Sequence, residues 1–245
     1  MRKIVIIGAT SAIAQAVAKQ YAKQNAEFFL VGRNTSRLQT VADDLTVFSG
    51  NTNTIFKLEI LNIKSYQKCI DEAIKTLGQI DILIIAHGTL SNQKACEASL
   101  EKTLEEFQIN GMSYIALLTL FGNYFEKEGK GSIVAISSCA SDRGRQSNYI
   151  YGAAKSAVTT FLSGLRNRLA KKGVHVLTVK PGFVDTPMTK NFKKGLLWAK
   201  PDKVANDIVR SIDKKKDVIY TPYFWRGIMM IIKSIPEKVF KKLAL

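Results

Sequence analysis

An α/β fold built on one doubly wound parallel sheet is predicted by two observations. Short apolar runs alternate with longer helix-period stretches along the whole chain, and 245 residues suit one large domain. Residues 4–7, 28–31, 55–58, 82–86, 133–136 and 174–179 read as strands buried on both faces, and 218–220 as a weaker seventh. Between them, residues 12–24, 36–48, 64–77, 100–125, 149–172 and 201–212 carry amphipathic helical patterns. Parallel neighbours need a crossover long enough to hold a helix, and right-handed crossovers place helices on both faces. No Pro-, Ser- or Gly-rich linker and no internal repeat divides the chain. Residues 183–198 fall outside the rhythm, just after the sixth strand, where a ligand-covering loop fits.

Apolar residues make up 46% and charged residues 23%, which excludes disorder, collagen and coiled coil. The net charge is +16, and residues 190–245 hold 14 basic against 5 acidic side chains. Such a basic region suits an anionic partner (a membrane surface, nucleic acid or a phosphorylated substrate) or serves only solubility. Cys69, Cys96 and Cys139 are odd in number and unrelated in spacing. They suggest neither a metal site nor a disulfide framework, and point to a reducing compartment. Met1-Arg2-Lys3 is followed by only four apolar residues before Gly8, too short a run for a secretory signal, so a buried first strand is expected.

Three stretches carry chemistry. Gly8-Ala9-Thr10-Ser11-Ala12-Ile13-Ala14 follows a strand and opens a helix. Small residues there let backbone approach a pyrophosphate, whose charge suits the free N–H groups of a helix start; a simple packing turn is the other reading. Tyr151 and Lys155 stand at i and i+4, on one helical face. An ammonium so placed favours the phenolate and lowers the tyrosine pKa. Ser138, at the carboxyl end of a central strand, faces the crevice where such sheets bind ligands.

With these motifs in this order, the sequence resembles the short-chain dehydrogenase/reductase family over about residues 2–221. Ala86-His87-Gly88, Asn110 and Pro181-Gly182-Phe183-Val184-Asp185-Thr186 also fall in the family's order. The resemblance implies a Rossmann-like catalytic domain over residues 1–221 and a basic, apolar tail over 222–245. It implies Tyr151 as general acid in reduction, and Lys155 as the group that tunes it and holds the nicotinamide ribose. It gives Ser138 the substrate carbonyl and Asn110 a proton-relaying water. Gly8, Thr10, Ser11, Ile13, Ala86, His87, Gly88, Pro181, Gly182, Val184 and Thr186 would line the cofactor, with Glu59 and Ile60 bordering the adenine. No metal is implied.

The chain departs from the family at Ile85-Ala86-His87-Gly88, where Asn-Asn-Ala-Gly is usual. His87 there suits either a proton donor or a packed, hydrogen-bonded role. Ala12 and Ala14 replace two of the turn's glycines. An acid after the second strand would bind the 2′-hydroxyl of NAD, but Val31-Gly32 leads into Arg33, whose fork suits a 2′-phosphate. NADP(H) is therefore expected over NAD(H).

Residues 224–235 are mostly apolar, broken by Arg226 and Lys233, and too few to span a bilayer. They suit either a segment lying in the headgroup boundary or one covering a sheet edge or subunit contact. The whole sequence also resembles the branch that reduces polyprenyl-phosphate-linked 2-keto sugars, as in decaprenylphosphoryl-2-keto-ribose. That resemblance implies a lipid-linked ketone substrate, and with the tail in the headgroup boundary the protein would be cytoplasmic and peripheral to the inner face of a membrane. A soluble reductase of small or acyl-carrier-bound ketones, or a nucleotide-binding protein without turnover, remain alternatives. No zinc-finger, RNP or helix-turn-helix pattern supports nucleic acid. Family resemblance also implies a homodimer or homotetramer paired through the helices near 100–125 and 149.

Overall fold

A computed structural model describes residues 1–243. The elements run β1 (Lys3–Ile7), α1 (Ala12–Ala22), β2 (Glu27–Gly32), α2 (Thr35–Ser49), β3 (Thr54–Lys57), α3 (Tyr66–Leu77) and β4 (Ile82–Ile85). They continue with α4 (Gln93–Glu97), α5 (Leu100–Phe107), α6 (Ser113–Glu128), β5 (Ser132–Ile136), α7 (Tyr149–Ala170) and β6 (His175–Pro181). The last are β7 (Phe183–Val184), β8 (Trp198–Ala199), α8 (Pro201–Asp213), β9 (Val218–Thr221), α9 (Trp225–Ser234) and α10 (Glu237–Phe240). Seven parallel strands form the central sheet in the order β3-β2-β1-β4-β5-β6-β9.

The unbroken apolar runs follow from burial on both faces. In β1, Ile4 and Ile6 pack toward α1, α2 and α8, whereas Val5 and Ile7 pack toward α3, α6 and α7. Alternate side chains thus feed two separate cores, and a polar residue at either register would be buried. The strand order reverses between β1 and β4, so the crevice at their carboxyl ends is the natural ligand position.

Two features differ from the sequence expectation, and a third fills one in. The single helix expected over 100–125 is divided into α5 and α6 by a π-helical turn, Gln108–Met112. There the Asn110 amide bonds to groups of Thr89 and Glu106, outside the regular ladder. The short α4 was not expected; Asn92 caps it by accepting from the Ala95 N–H, and five residues are too few to show a period. Residues 183–198 are a loop, closed by β7 pairing with β8.

The tail docks on the domain through one face. Trp225 and Met229 are buried against Cys139. The Arg143 guanidinium donates to the carbonyls of Ile232 and Ile235, pairs with Glu237, and lies 3.5 Å from the Phe240 ring centre. The opposite face leaves Met230 and Ile231 exposed. No helix among the described residues is long and apolar enough to cross a membrane.

Candidate active site

The first turn is built for close backbone approach. Gly8 has φ +81°, and a Cβ there would lie 2.4 Å from the His87 backbone nitrogen, so only glycine fits. The N–H groups of Gly8 and Ala9 both donate to the Val31 carbonyl, which ties the turn to the end of β2. Ser11 gives α1 no side-chain cap and its first turn holds no acid, so the first N–H groups remain for a ligand. Thr10 turns its carbonyl to the Gln15 amide, and Ile13 is half-buried against the core. Arg33 follows β2 on the surface and makes no hydrogen bond or ion pair among the described residues. Beyond β3, Glu59 is exposed, and the Ile60 carbonyl accepts from the Tyr66 hydroxyl at 2.5 Å.

Ser138, Tyr151 and Lys155 are gathered at the carboxyl end of β5. Ser138 begins the 3-10 turn Cys139–Asp142, and its oxygen accepts from the Ala140 N–H at 3.1 Å. Its hydroxyl also reaches the Tyr151 phenol, on which it acts as a hydrogen-bond donor. The Ser137 hydroxyl donates to the Lys155 carbonyl and meets Thr159, which fixes α7 against β5. Lys155 is buried, donates through Nζ to the Ile136 carbonyl at 3.1 Å, and lies 3.9 Å from the Tyr114 ring centre. The Tyr151 ring centre is farther, at 5.9 Å.

Burial governs both titratable groups. It pushes the Lys155 amine from 10.5 down to about 7. It pushes the Tyr151 phenol up to about 12, opposed by the Ser138 hydroxyl and aided by Cys139. The lowering of the phenol by Lys155 that the i, i+4 spacing predicts is absent in this conformation, where only the Ser138 hydroxyl opposes burial. The Tyr114 π face stands in as the partner of the buried ammonium.

His87 is buried beside them. Its Nε2 bonds to the Ser113 hydroxyl at 2.8 Å, and that hydroxyl donates to the Ile109 carbonyl. The serine oxygen must then accept, which places the imidazole proton on Nε2 and leaves Nδ1 buried without a partner. Burial, with Lys155 nearby, pushes His87 well below the ordinary histidine range. A packed neutral ring fits these contacts; a proton donor does not. The flanking Ala86 N–H pairs with the Ile7 carbonyl, and Gly88 passes close to Asn110 Oδ1.

Asn110 is held from both ends of its amide. Its oxygen accepts from the Thr89 N–H, and its amide nitrogen donates to Thr89 Oγ1 and Glu106 Oε2. Glu106 also accepts from the hydroxyls of Thr89 and Ser91. The side chain that the resemblance assigns to a water thus already bonds protein groups through both its oxygen and its nitrogen. Glu106 and Tyr114 carry no local motif, and only the fold reveals them.

After β6, Pro181 leads into Gly182, where a Cβ would lie 1.9 Å from Trp225 Nε1. Phe183 stacks on Trp198 at 5.2 Å and meets Trp225 edge-on at 5.0 Å. Val184 is buried in β7. Thr186 caps the turn Pro187–Thr189 through a reciprocal pair with Thr189, so its polar groups are already occupied.

A family model described as short chain dehydrogenase matches residues 2–196, a span that holds the first turn and the whole Ser138, Tyr151 and Lys155 set. The chain is a short-chain dehydrogenase. Among its relatives, an uncharacterized oxidoreductase of Mycobacterium tuberculosis is 27% identical over 240 residues, covering 98% of this chain and 96% of that one. An uncharacterized oxidoreductase of Staphylococcus epidermidis is 32% identical over 192 residues, covering 76% and 79%. Two solved structures share the fold. An alcohol dehydrogenase from Thermococcus sibiricus, complexed with 5-hydroxy-NADP, superposes with TM-score 0.78 at 23% identity, covering 90% of this chain and 95% of that one. A bulky-bulky ketone specific alcohol dehydrogenase from Comamonas testosteroni gives 0.81 at 21% identity, covering 97% and 96%. This short-chain dehydrogenase is accordingly an oxidoreductase with a Rossmann-like fold. Its uncapped α1 start and the Gly8 turn fit a nicotinamide dinucleotide.

Proposed function

We propose that this dehydrogenase is an NADPH-dependent reductase that converts a ketone to an alcohol, acting on a lipid- or phosphate-linked keto sugar. The observation that carries the chemistry is the meeting of Ser138, Tyr151 and Lys155 at the end of β5, beside the ligand crevice. A reduced nicotinamide, when bound, supplies hydride to the carbonyl carbon. The chain does the rest. Ser138, its oxygen already engaged by Ala140, donates to the substrate oxygen and stabilises the charge that grows there. Tyr151 delivers its phenolic proton to that oxygen, and Lys155, poised near 7, can hold the ammonium form that balances the phenolate. Gly8, Thr10, Ser11 and Ile13 would cradle the pyrophosphate. Ala86, His87, Gly88, Pro181, Gly182, Val184 and Thr186 would border the remainder, and Asn110 would act through the backbone it fixes.

Arg33 supports NADP(H), since an unpaired exposed guanidinium stands where an acid would serve NAD. The half-exposed aromatic rim of Phe183 and Phe192, with the outer face of α9, supports an apolar substrate portion and contact with the inner face of a membrane. The second reading, a cytoplasmic reductase of small or acyl-carrier-bound ketones, draws support from the burial of Trp225 and Met229 on protein. In either case a homodimer or homotetramer is proposed. Tyr151→Phe is expected to abolish ketone reduction while NADPH binding persists; retained turnover would overturn the assigned acid.

A further inference from the structure

We propose that Arg145 is the receptor for an anionic group on the ketone, so that the favoured substrates carry a phosphate or carboxylate. This rests on the reductase reading and specifies its substrate class. Arg145 lies in the loop that joins the 3-10 turn begun by Ser138 to α7, and its carbonyl accepts from the Asn148 N–H at 3.0 Å. The elements on either side of this loop carry Ser138 and Tyr151 of the catalytic set.

Arg145 contrasts with Arg143. The latter spends its guanidinium on the carbonyls and carboxylate of the tail. Arg145 makes no side-chain hydrogen bond or ion pair among the described residues, and its Nε is buried without a partner. Between Ser138 and Tyr151 the one acidic residue is Asp142, and both its oxygens are taken, by Lys180 and by the Tyr220 hydroxyl. The charge of Arg145 therefore has no counterion among the described residues. The guanidinium lies near enough to Cys139, the residue after Ser138, to favour its thiolate, while burial opposes its own charge.

A further buried donor without a partner lies at Trp225 Nε1, whose ring packs on Cys139. A planar, permanently charged fork with unmet N–H groups is matched by an oxyanion accepting two parallel bonds. Near Cys139, the residue after Ser138, it would anchor a ketone by its charged end while the carbonyl meets Ser138 and Tyr151.

The test uses the full chain as wild type, Arg145→Gln and Arg145→Lys. Thermal unfolding is followed with a short alkyl phosphate, the matching carboxylate and the matching alcohol. The oxyanions are expected to raise the unfolding temperature of the wild type above the effect of the alcohol. Arg145→Gln should remove that difference and Arg145→Lys keep part of it, and the larger shift identifies the oxyanion. With NADPH and paired ketones that differ only in the charged group, Arg145→Gln should lower the anionic-to-neutral ratio of kcat/KM by about 10–100-fold. Oxyanion stabilisation that survives in Arg145→Gln, or an unchanged ratio, overturns the assignment. If the wild type reduces no ketone yet its oxyanion stabilisation depends on Arg145, the reductase reading fails and the anion site stands.

Discussion

Replacing Lys155 by methionine is expected to stabilise the ligand-free protein while destroying its chemistry. The amine is buried with no carboxylate partner, held by one carbonyl and one aromatic face. Burial lowers it from 10.5 to about 7, so keeping it charged in the fold costs at most about 5 kcal/mol below pH 7. Methionine fills similar space without that cost, but loses the bond to Ile136 and the contact with Tyr114. A net gain of roughly 2–3 kcal/mol near pH 6 is expected. The pH dependence is the sharper signature. The folded-state pKa is depressed, so between about 7 and 10.5 the unfolded chain binds more protons and wild-type stability rises with pH. The gap between the two proteins should therefore narrow by roughly 2–3 kcal/mol from about pH 6 to about pH 9. Taking the difference between variants cancels the buried cysteines and tyrosines, which titrate alike in both. Urea unfolding across that range, without cofactor, measures it. A gap that does not change with pH, or a variant less stable than wild type near pH 6, would refute the reasoning.

Tyr114→Leu removes the aromatic face from the Lys155 ammonium, which disfavours the charged form and lowers its pKa by about 1–1.5 units. The alkaline limb of the pH profile for ketone reduction should move down by that amount, and Tyr114→Phe, which keeps the ring, should restore it; equal shifts in both would implicate only the lost hydroxyl. Gly182→Ala would drive a methyl into the Trp225 indole, and should cost about 1–3 kcal/mol in urea and release α9 to proteolysis; an unchanged midpoint would contradict the packing described. Met230→Ser with Ile231→Ser alters only exposed side chains of α9, and should weaken co-sedimentation with anionic liposomes without loss of stability; equal partitioning of variant and wild type would favour the soluble reading.

The seven strands were legible because each is a short apolar run feeding two cores, a pattern that survives in one dimension. The π turn was not, since a single extra residue hardly disturbs the spacing of apolar side chains along residues 100–125. Ser138, Tyr151 and Lys155 could be found because α7 and the end of β5 are close in sequence as well as in space. Tyr114 and Ser113 act on Lys155 and His87 through contacts that only the sheet order creates, whereas Glu106 meets Asn110 across a single helical turn. Direction was equally hidden: spacing placed the Lys155 amine near the Tyr151 phenol, but not the burial that turns it toward Tyr114. The tail's apolar pattern left two readings open, because packing on Cys139 and facing outward are served by opposite sides of one helix.

The aromatic rim gives the protein a built-in optical reporter. Its only two tryptophans, Trp198 and Trp225, both flank Phe183 at the mouth of the crevice. Intrinsic fluorescence excited through indole therefore comes entirely from this corner, with Trp225 buried in it and Trp198 partly exposed. Occupancy of this corner can be followed without any label, on the native chain, while the rest of the molecule stays dark.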